Sequence, residues 1–283
     1  MTDCLYGIYR ALCIVWFGAP KLGECAGARS RGRGLVGFVN ALEVEGVDFA
    51  YGPLQVLFDV GITVAEGESV GLLGTNGAGK STLLGTISGL LRPSKGVVRL
   101  FGEDISRLEP HERVGRGLMQ IAGGRAVFPS LSVAENIRLG AYRQLRDAPL
   151  VASRMADVLS VFPQLESRLD QPAGTLSGGE QQMVALSRAL VSGAKVLLID
   201  EVSLGLAPVV MVEVMKMVGE LARRGVTLLL VEQSLNVSLS LADRAYFMER
   251  GSIRFEGATA DLLERSDLVR AVFFGAGDDG IGE

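Results

Sequence analysis

From Ala41 onward the apolar and polar positions of this chain follow regular periods. The stretch "ALEVEGVDFAYG" alternates between the two and closes on a turn, the period-two pattern of a half-buried strand. "VLFDVGITVAEGESVGLLG" reads as two more strands split by a turn at Glu66 and Gly67, and the second runs straight into a glycine-rich loop. A helix is predicted from about Gly79 to Leu90, then the turn "RPSKG" and a strand "VVRLFG". Residues from about 105 to 190 are richer in helical periodicity. Strand patterns return with "KVLLID" and "VTLLLVEQ" on either side of a helix "PVVMVEVMKMVGELARR", and a tail strand "AYFMERGSIRFEG" precedes a closing helix. Strands alternating with helices imply an α/β fold with a mostly parallel sheet. No internal repeat interrupts this order.

Residues 1–40 follow no such pattern. They hold all three cysteines (Cys4, Cys13, Cys25) and the only tryptophan, Trp16, and they end in the Gly/Arg-rich run "GARSRGRGLVG". Five basic residues against two acidic ones make this segment net positive, although the whole chain carries a formal charge of -4. Two readings stay open: a short amphipathic anchor on an anionic membrane surface, or an extension outside the fold. The domain division is therefore 1–40 as an extension of unknown role and 41–283 as the folded domain.

Composition narrows the class. An apolar content of 48% with 21% charged residues belongs to a globular chain. The negative balance and the lack of a basic, aromatic-interleaved stripe argue against nucleic acid as a partner. "ALCIVWFGAP" has roughly half the length a bilayer-spanning helix needs, so no membrane crossing is predicted. Asp3 near the start, with no small-residue cleavage site after the apolar run, argues against a secretory signal. The cysteine spacing fits no zinc pattern and points to reduced thiols in a cytosolic compartment.

Two short stretches carry chemistry. "GTNGAGKST" satisfies the phosphate-loop pattern between a strand and a helix. Gly74, Thr75, Asn76, Gly77, Ala78 and Gly79 would wrap a polyphosphate with successive backbone N–H groups, the glycines permitting the close approach. Lys80 would neutralise β and γ phosphates, Ser81 would ligate Mg²⁺, and Thr82 continues the helix start. In "VLLIDE" four apolar residues make a buried strand whose end delivers Asp200 to a magnesium position and Glu201 to an attacking water.

A third stretch, "LSGGEQQ" (Leu176 to Gln182), is also a helix start suited to an anion. Together with the other two it resembles the ATP-binding subunit of ABC transporters, over about residues 42 to 265. That resemblance implies a P-loop NTPase cassette: a RecA-like core with a mostly parallel sheet, an antiparallel β subdomain, and an inserted α-helical subdomain at about 115–190. It implies ATP and Mg²⁺ as cofactors. It also implies a second ATPase subunit packed head to tail, so that Ser177, Gly178, Gly179 and Glu180 cap the nucleotide held by the partner's loop. Tyr51 matches the family's adenine-stacking aromatic, with Val56 beside it. "SLGL" (Ser203 to Leu206) falls at the D-loop, and "FPSLSVAENI" (Phe128 to Ile137) falls in the segment that receives a coupling helix of the membrane subunit.

Departures from the family pattern are also informative. Gln233 stands where the switch histidine is usual, and a glutamine can still hydrogen-bond phosphate but carries no proton-dependent charge. His111, the only histidine, is read as a surface residue. Gly123 stands at the usual Q-loop glutamine position, with Gln120 three residues earlier as the alternative magnesium-side ligand. Val202 replaces a proline after the catalytic glutamate. "VEQS", "GGRAVFPSL", "YGPLQVLFDV" and "SLGLAP" look like the second ATPase of branched-chain amino acid importers, the LivF type, and its relatives for urea and short amides. The implied protein is an active ATPase, peripheral on the cytoplasmic face of the membrane. It pairs preferentially with a paralogous ATPase and with transmembrane permease subunits, and it never touches the cargo. A soluble ABC ATPase acting on ribosomes or DNA is a second class, and an unrelated P-loop kinase a third. The former usually carries two cassettes or a long coiled-coil insertion, and the latter would lack "LSGGEQQ".

Overall fold

A computed structural model of the chain describes residues 39–123, 127–201, 206–232 and 241–259. Residues 1–38 of the extension, Val202 to Gly205, Gln233 and the closing segment from residue 260 onward lie outside them.

Two sheets form the frame. One is antiparallel, with strands β1 (Asn40–Tyr51), β2 (Leu54–Ala65), β4 (Lys95–Leu100) and β5 (Glu103–Asp104) in the order β2-β1-β4-β5. The other has six strands in the order β10-β9-β3-β8-β7-β6: β3 (Ser69–Leu73), β6 (Leu118–Ile121), β7 (Val196–Asp200), β8 (Thr227–Val231), β9 (Arg244–Glu249) and β10 (Ser252–Ala258). The five strands from β9 to β6 run parallel, and only β10 is antiparallel, to its neighbour β9. The continuous apolar runs of β3, β7 and β8 follow from burial on both faces, which leaves no solvent side for polar residues to alternate into.

The helices divide between the two faces. Helix α1 (Lys80–Ser88) lies between the sheets, where Leu83, Leu84 and Ile87 share one core with Leu42, Leu57, Leu72, Leu198 and Leu229. Helices α2 (Pro110–Gly115), α3 (Val133–Leu139), α4 (Ala148–Val161), α5 (Gly178–Ser192) and α6 (Pro208–Arg223) complete the fold, and α3 to α6 build a second core on the other face with Leu197, Ile199 and Leu228. This is the expected α/β cassette architecture, with its mostly parallel sheet and its separate antiparallel subdomain.

Two details differ from the sequence pattern. Within the helix-rich middle, "LMQI" forms β6 and pairs with β7 in parallel register, placing Gln120 opposite Leu198. A four-residue strand carries too short a run to show its period, and only the neighbouring edge of β7 selects it. Helix α1 stops at Ser88 because Gly89 turns left-handed, with φ 85°. Its last carbonyls are taken by the buried Arg113, whose guanidinium donates to Thr86 O and Ile87 O at 2.7 Å each, and to Leu108 O and Ser106 O at 3.0 Å.

Candidate functional site: a phosphate-binding cleft

The cleft opens where β3 hands the chain to α1. It encloses about 420 Å³ and is lined by Val56, Asn76 to Thr82 and Glu201. The loop is shaped by close backbone packing: a Cβ on Gly74, where φ is 154°, would stand 2.2 Å from the carbonyl oxygen of Met248. Glycine is the residue that fits there. The turn between β9 and β10 braces the same loop, since Gly251 N–H donates to Ala78 O at 2.8 Å and Phe58 N–H to Gly251 O at 2.9 Å. Sequence reasoning missed this brace; the "ERG" turn marks a hairpin but says nothing about what the hairpin touches.

Helix α1 has Gly79 as its N-cap, with no side chain to occupy the first-turn N–H groups. Those donors, together with the positive end of the helix, are set out for an anion. Lys80 is 5% exposed, and its Nζ donates to Gly74 O at 2.8 Å and Thr75 O at 3.1 Å, which folds the ammonium over the loop. Burial pushes its pKa down, against the opposing pull of Glu201 and Asp200.

The acidic pair stands at the end of β7. Burial raises the Asp200 pKa, the Ser81 hydroxyl bonded to it works the other way, and Glu201 adds to the rise while Lys80 opposes it. Glu201 takes φ 45°, a left-handed conformation that costs a non-glycine residue about 1–2 kcal/mol. Its N–H is anchored to Val231 O at 2.8 Å. This turn swings its side chain into the cleft lining.

Two buried acceptors, Asp200 Oδ1 and Gln120 Oε1, have no hydrogen-bond partner among the described residues. The register of β6 on β7 sets Gln120 on the same sheet face as Leu198 and Asp200, the face that α1 covers. Orphaned buried acceptors next to a hydroxyl are the donor set of a hard divalent cation, so the residues present fit Mg²⁺. Gly123 has a packing reason of its own: a Cβ there would lie 2.7 Å from Asp200 O and 3.2 Å from Glu201 O. No side chain fits at that position in this arrangement, and Gln120 is the nearby amide that the sheet already aims at this face.

The structure brings the P-loop, Val56 and the acidic pair together and leaves the other expected residues apart. Tyr51 is 50% exposed at the tip of the β1–β2 hairpin, its ring edge-on to Phe49 with centroids 4.8 Å apart, and it does not line the cleft. Ser177, Gly178, Gly179 and Glu180 do not line it either. Ser177 is the N-cap of α5, closed by a capping box with Glu180. Gly179 answers to packing, since a Cβ there would meet Val210 Cγ1 of α6 at 2.0 Å. His111 is exposed, as expected. Gln233 and most of the D-loop segment lie outside the described residues.

A parallel-stranded α/β core with a strand–glycine loop–helix cradle and an acidic strand end defines a P-loop nucleotide-binding protein. The family described as ABC transporter matches residues 57–203, and the chain belongs to it. It is 43% identical over 234 residues to the high-affinity branched-chain amino acid transport ATP-binding protein BraG of Pseudomonas aeruginosa, covering 83% of this chain and 99% of that one. It is 38% identical to the probable branched-chain amino acid transport ATP-binding protein LivF of Archaeoglobus fulgidus, covering 78% and 93%. The ADP conformation of an ATP-binding cassette of an ABC transporter superposes with a TM-score of 0.74 at 27% identity, covering 83% of this chain and 99% of that one. The chain is an ATP-binding cassette that hydrolyses ATP. No helix among the described residues is long and apolar enough to cross a membrane.

Proposed function

We propose that this chain is the ATPase subunit that powers an ABC importer for branched-chain or similar hydrophobic amino acids. The cargo assignment draws on the printed names of BraG and LivF together with the subfamily motifs in this sequence. The observation that carries the catalytic reading is the cleft itself, where Lys80, Ser81 and Glu201 line one cavity and Asp200 is bonded to Ser81.

In this reading the N–H groups of Gly74 to Thr82 and the Lys80 ammonium bind the triphosphate, and Tyr51 and Val56 receive the base. Ser81, Asp200 and Gln120 would hold Mg²⁺, which when bound spreads the negative charge of the β and γ phosphates. Glu201 holds and polarises the water that attacks in line, and its anchored turn keeps the carboxylate in place. Gln233 senses the γ-phosphate as a neutral hydrogen-bonding group.

Ser177, Gly178, Gly179 and Glu180 lie outside the cleft of their own chain, so they serve the nucleotide of a second cassette, for which a paralogous ATPase is the preferred partner. Transmembrane permease subunits dock on the helical side, and the protein works peripherally at the cytoplasmic face of the membrane. The domain runs over 41–283, with the helical subdomain at about 115–190 and residues 1–40 appended.

The test is Glu201→Gln in the full-length chain. ATP binding, followed by a fluorescent nucleotide analogue, is expected to stay within about twofold of wild type, while turnover falls by a factor of about 100 or more. Equal turnover in the two proteins would overturn the role given to Glu201.

A further inference from the structure

The two helix starts that face phosphate in this reading are built differently. Helix α1 has no side-chain cap, whereas α5 carries a carboxylate at its own N-terminus. Glu180 Oε2 accepts from both Ser177 N–H and Ser177 Oγ–H at 2.8 Å, and Glu180 N–H donates back to Ser177 Oγ at 3.4 Å. A carboxylate here with no partner cation would repel an incoming γ-phosphate.

One cation answers this charge. Arg168 Nε stands 3.1 Å from Glu180 Oε1, the oxygen that Ser177 does not use. The arginine is steered there by a short chain of contacts: its Nη1 donates to Gln171 Oε1 at 3.3 Å, and Gln171 Nε2 donates to Thr175 Oγ1 at 2.7 Å, one residue before the signature leucine. The backbone carrying it is pinned as well, because Leu169 O and Gln171 O accept the first-turn N–H groups of α3, from Ala134 at 2.9 Å and Val133 at 3.0 Å. Burial of the carboxylate would raise the Glu180 pKa, but the Ser177 hydroxyl and N–H and the Arg168 charge hold it below the usual carboxylate range, so at neutral pH the charge is present and needs its partner.

We propose that Arg168 is a positioning residue for ATP hydrolysis in trans: it neutralises Glu180 and keeps that carboxylate turned onto Ser177, so that the signature loop meets the partner's triphosphate without a net negative charge. This rests on the reading that Ser177 to Glu180 cap a second cassette's nucleotide.

The test measures, in full-length protein, steady-state ATP hydrolysis against ATP concentration, with nucleotide-analogue binding in parallel. Arg168→Ala is expected to raise the half-saturating ATP concentration about tenfold at low salt. Binding to the chain's own P-loop should be unchanged, and Arg168→Lys should stay within about threefold of wild type. The decisive comparison is Arg168→Ala combined with Glu180→Gln against Glu180→Gln alone: with the carboxylate charge already gone, removing Arg168 should add no further rise, so the two should half-saturate at the same ATP concentration. An Arg168→Ala curve identical to wild type overturns the proposal, and so does a double variant shifted well beyond Glu180→Gln alone, since that is the behaviour of a purely structural contact. If the α5 loop does not act in trans at all, Ser177→Ala will hydrolyse ATP as wild type does, which separates failure of the underlying reading from failure of the role of Arg168.

Discussion

Arg113 shows how a single buried charge can hold a functional element in shape. It is 1% exposed, and burial lowers its pKa to about 10, with Asp104 and Glu109 pulling the other way. Its donors go to backbone carbonyls at the C-terminal end of the P-loop helix and in the loop before α2, which satisfies acceptors that would otherwise be buried without partners. Arg113→Met keeps the volume and removes the donors. It is expected to cost about 3 kcal/mol of stability, seen as a lower denaturant midpoint, while the folded fraction keeps its half-saturating ATP concentration.

At the scale of elements, the joint between the antiparallel subdomain and the parallel sheet is held by Arg244. Its guanidinium pairs with Glu68 through contacts of 2.9 and 3.0 Å, donates to Thr63 O at 2.8 Å, and also bonds Tyr246 and Glu256. Strand β2, the turn leading into β3, and strands β9 and β10 thereby meet at one ionic knot. Burial would raise the Glu68 pKa, but the Arg244 hydrogen bonds, the Ala65 N–H and the Arg244 charge lower it overall. A carboxylate whose folded pKa lies below its unfolded value adds stability that is complete above the unfolded pKa and disappears as pH falls through the folded one. Glu68→Gln should therefore lower the melting temperature at pH 7, by the equivalent of about 1–2 kcal/mol. The gap to wild type should close as pH drops below the ordinary carboxylate range.

For the whole molecule, the decisive fact is spatial separation. The cleft residues line one cavity, and the capped start of α5 is not among them. On the proposed reading of Ser177 to Glu180 as a second phosphate-facing loop, a chain whose two such loops do not meet is half of a shared site. Turnover per chain at saturating ATP should therefore rise with the concentration of the second cassette and level off when the pair is complete. Rate measurements across a dilution series check this; a turnover independent of dilution would contradict it.

The local chemistry was legible from sequence because it depends on contiguous residues. The glycine loop, the lysine and serine that follow, the buried strand ending in Asp200 and the helix start at Ser177 are each written within a few positions, and the apolar periods around them select strand or helix. Long-range relations were decided by the tertiary structure. Nothing near "LMQI" shows that it pairs with β7 and turns Gln120 toward the Asp200 face; nothing near Gly123 shows that the Asp200–Glu201 backbone occupies its side-chain space; and nothing near Arg113 shows a helix end waiting for its donors. The physical reason is that a local pattern reports which face of an element is apolar, whereas partner and register are settled by packing and hydrogen-bond satisfaction between segments remote in the chain.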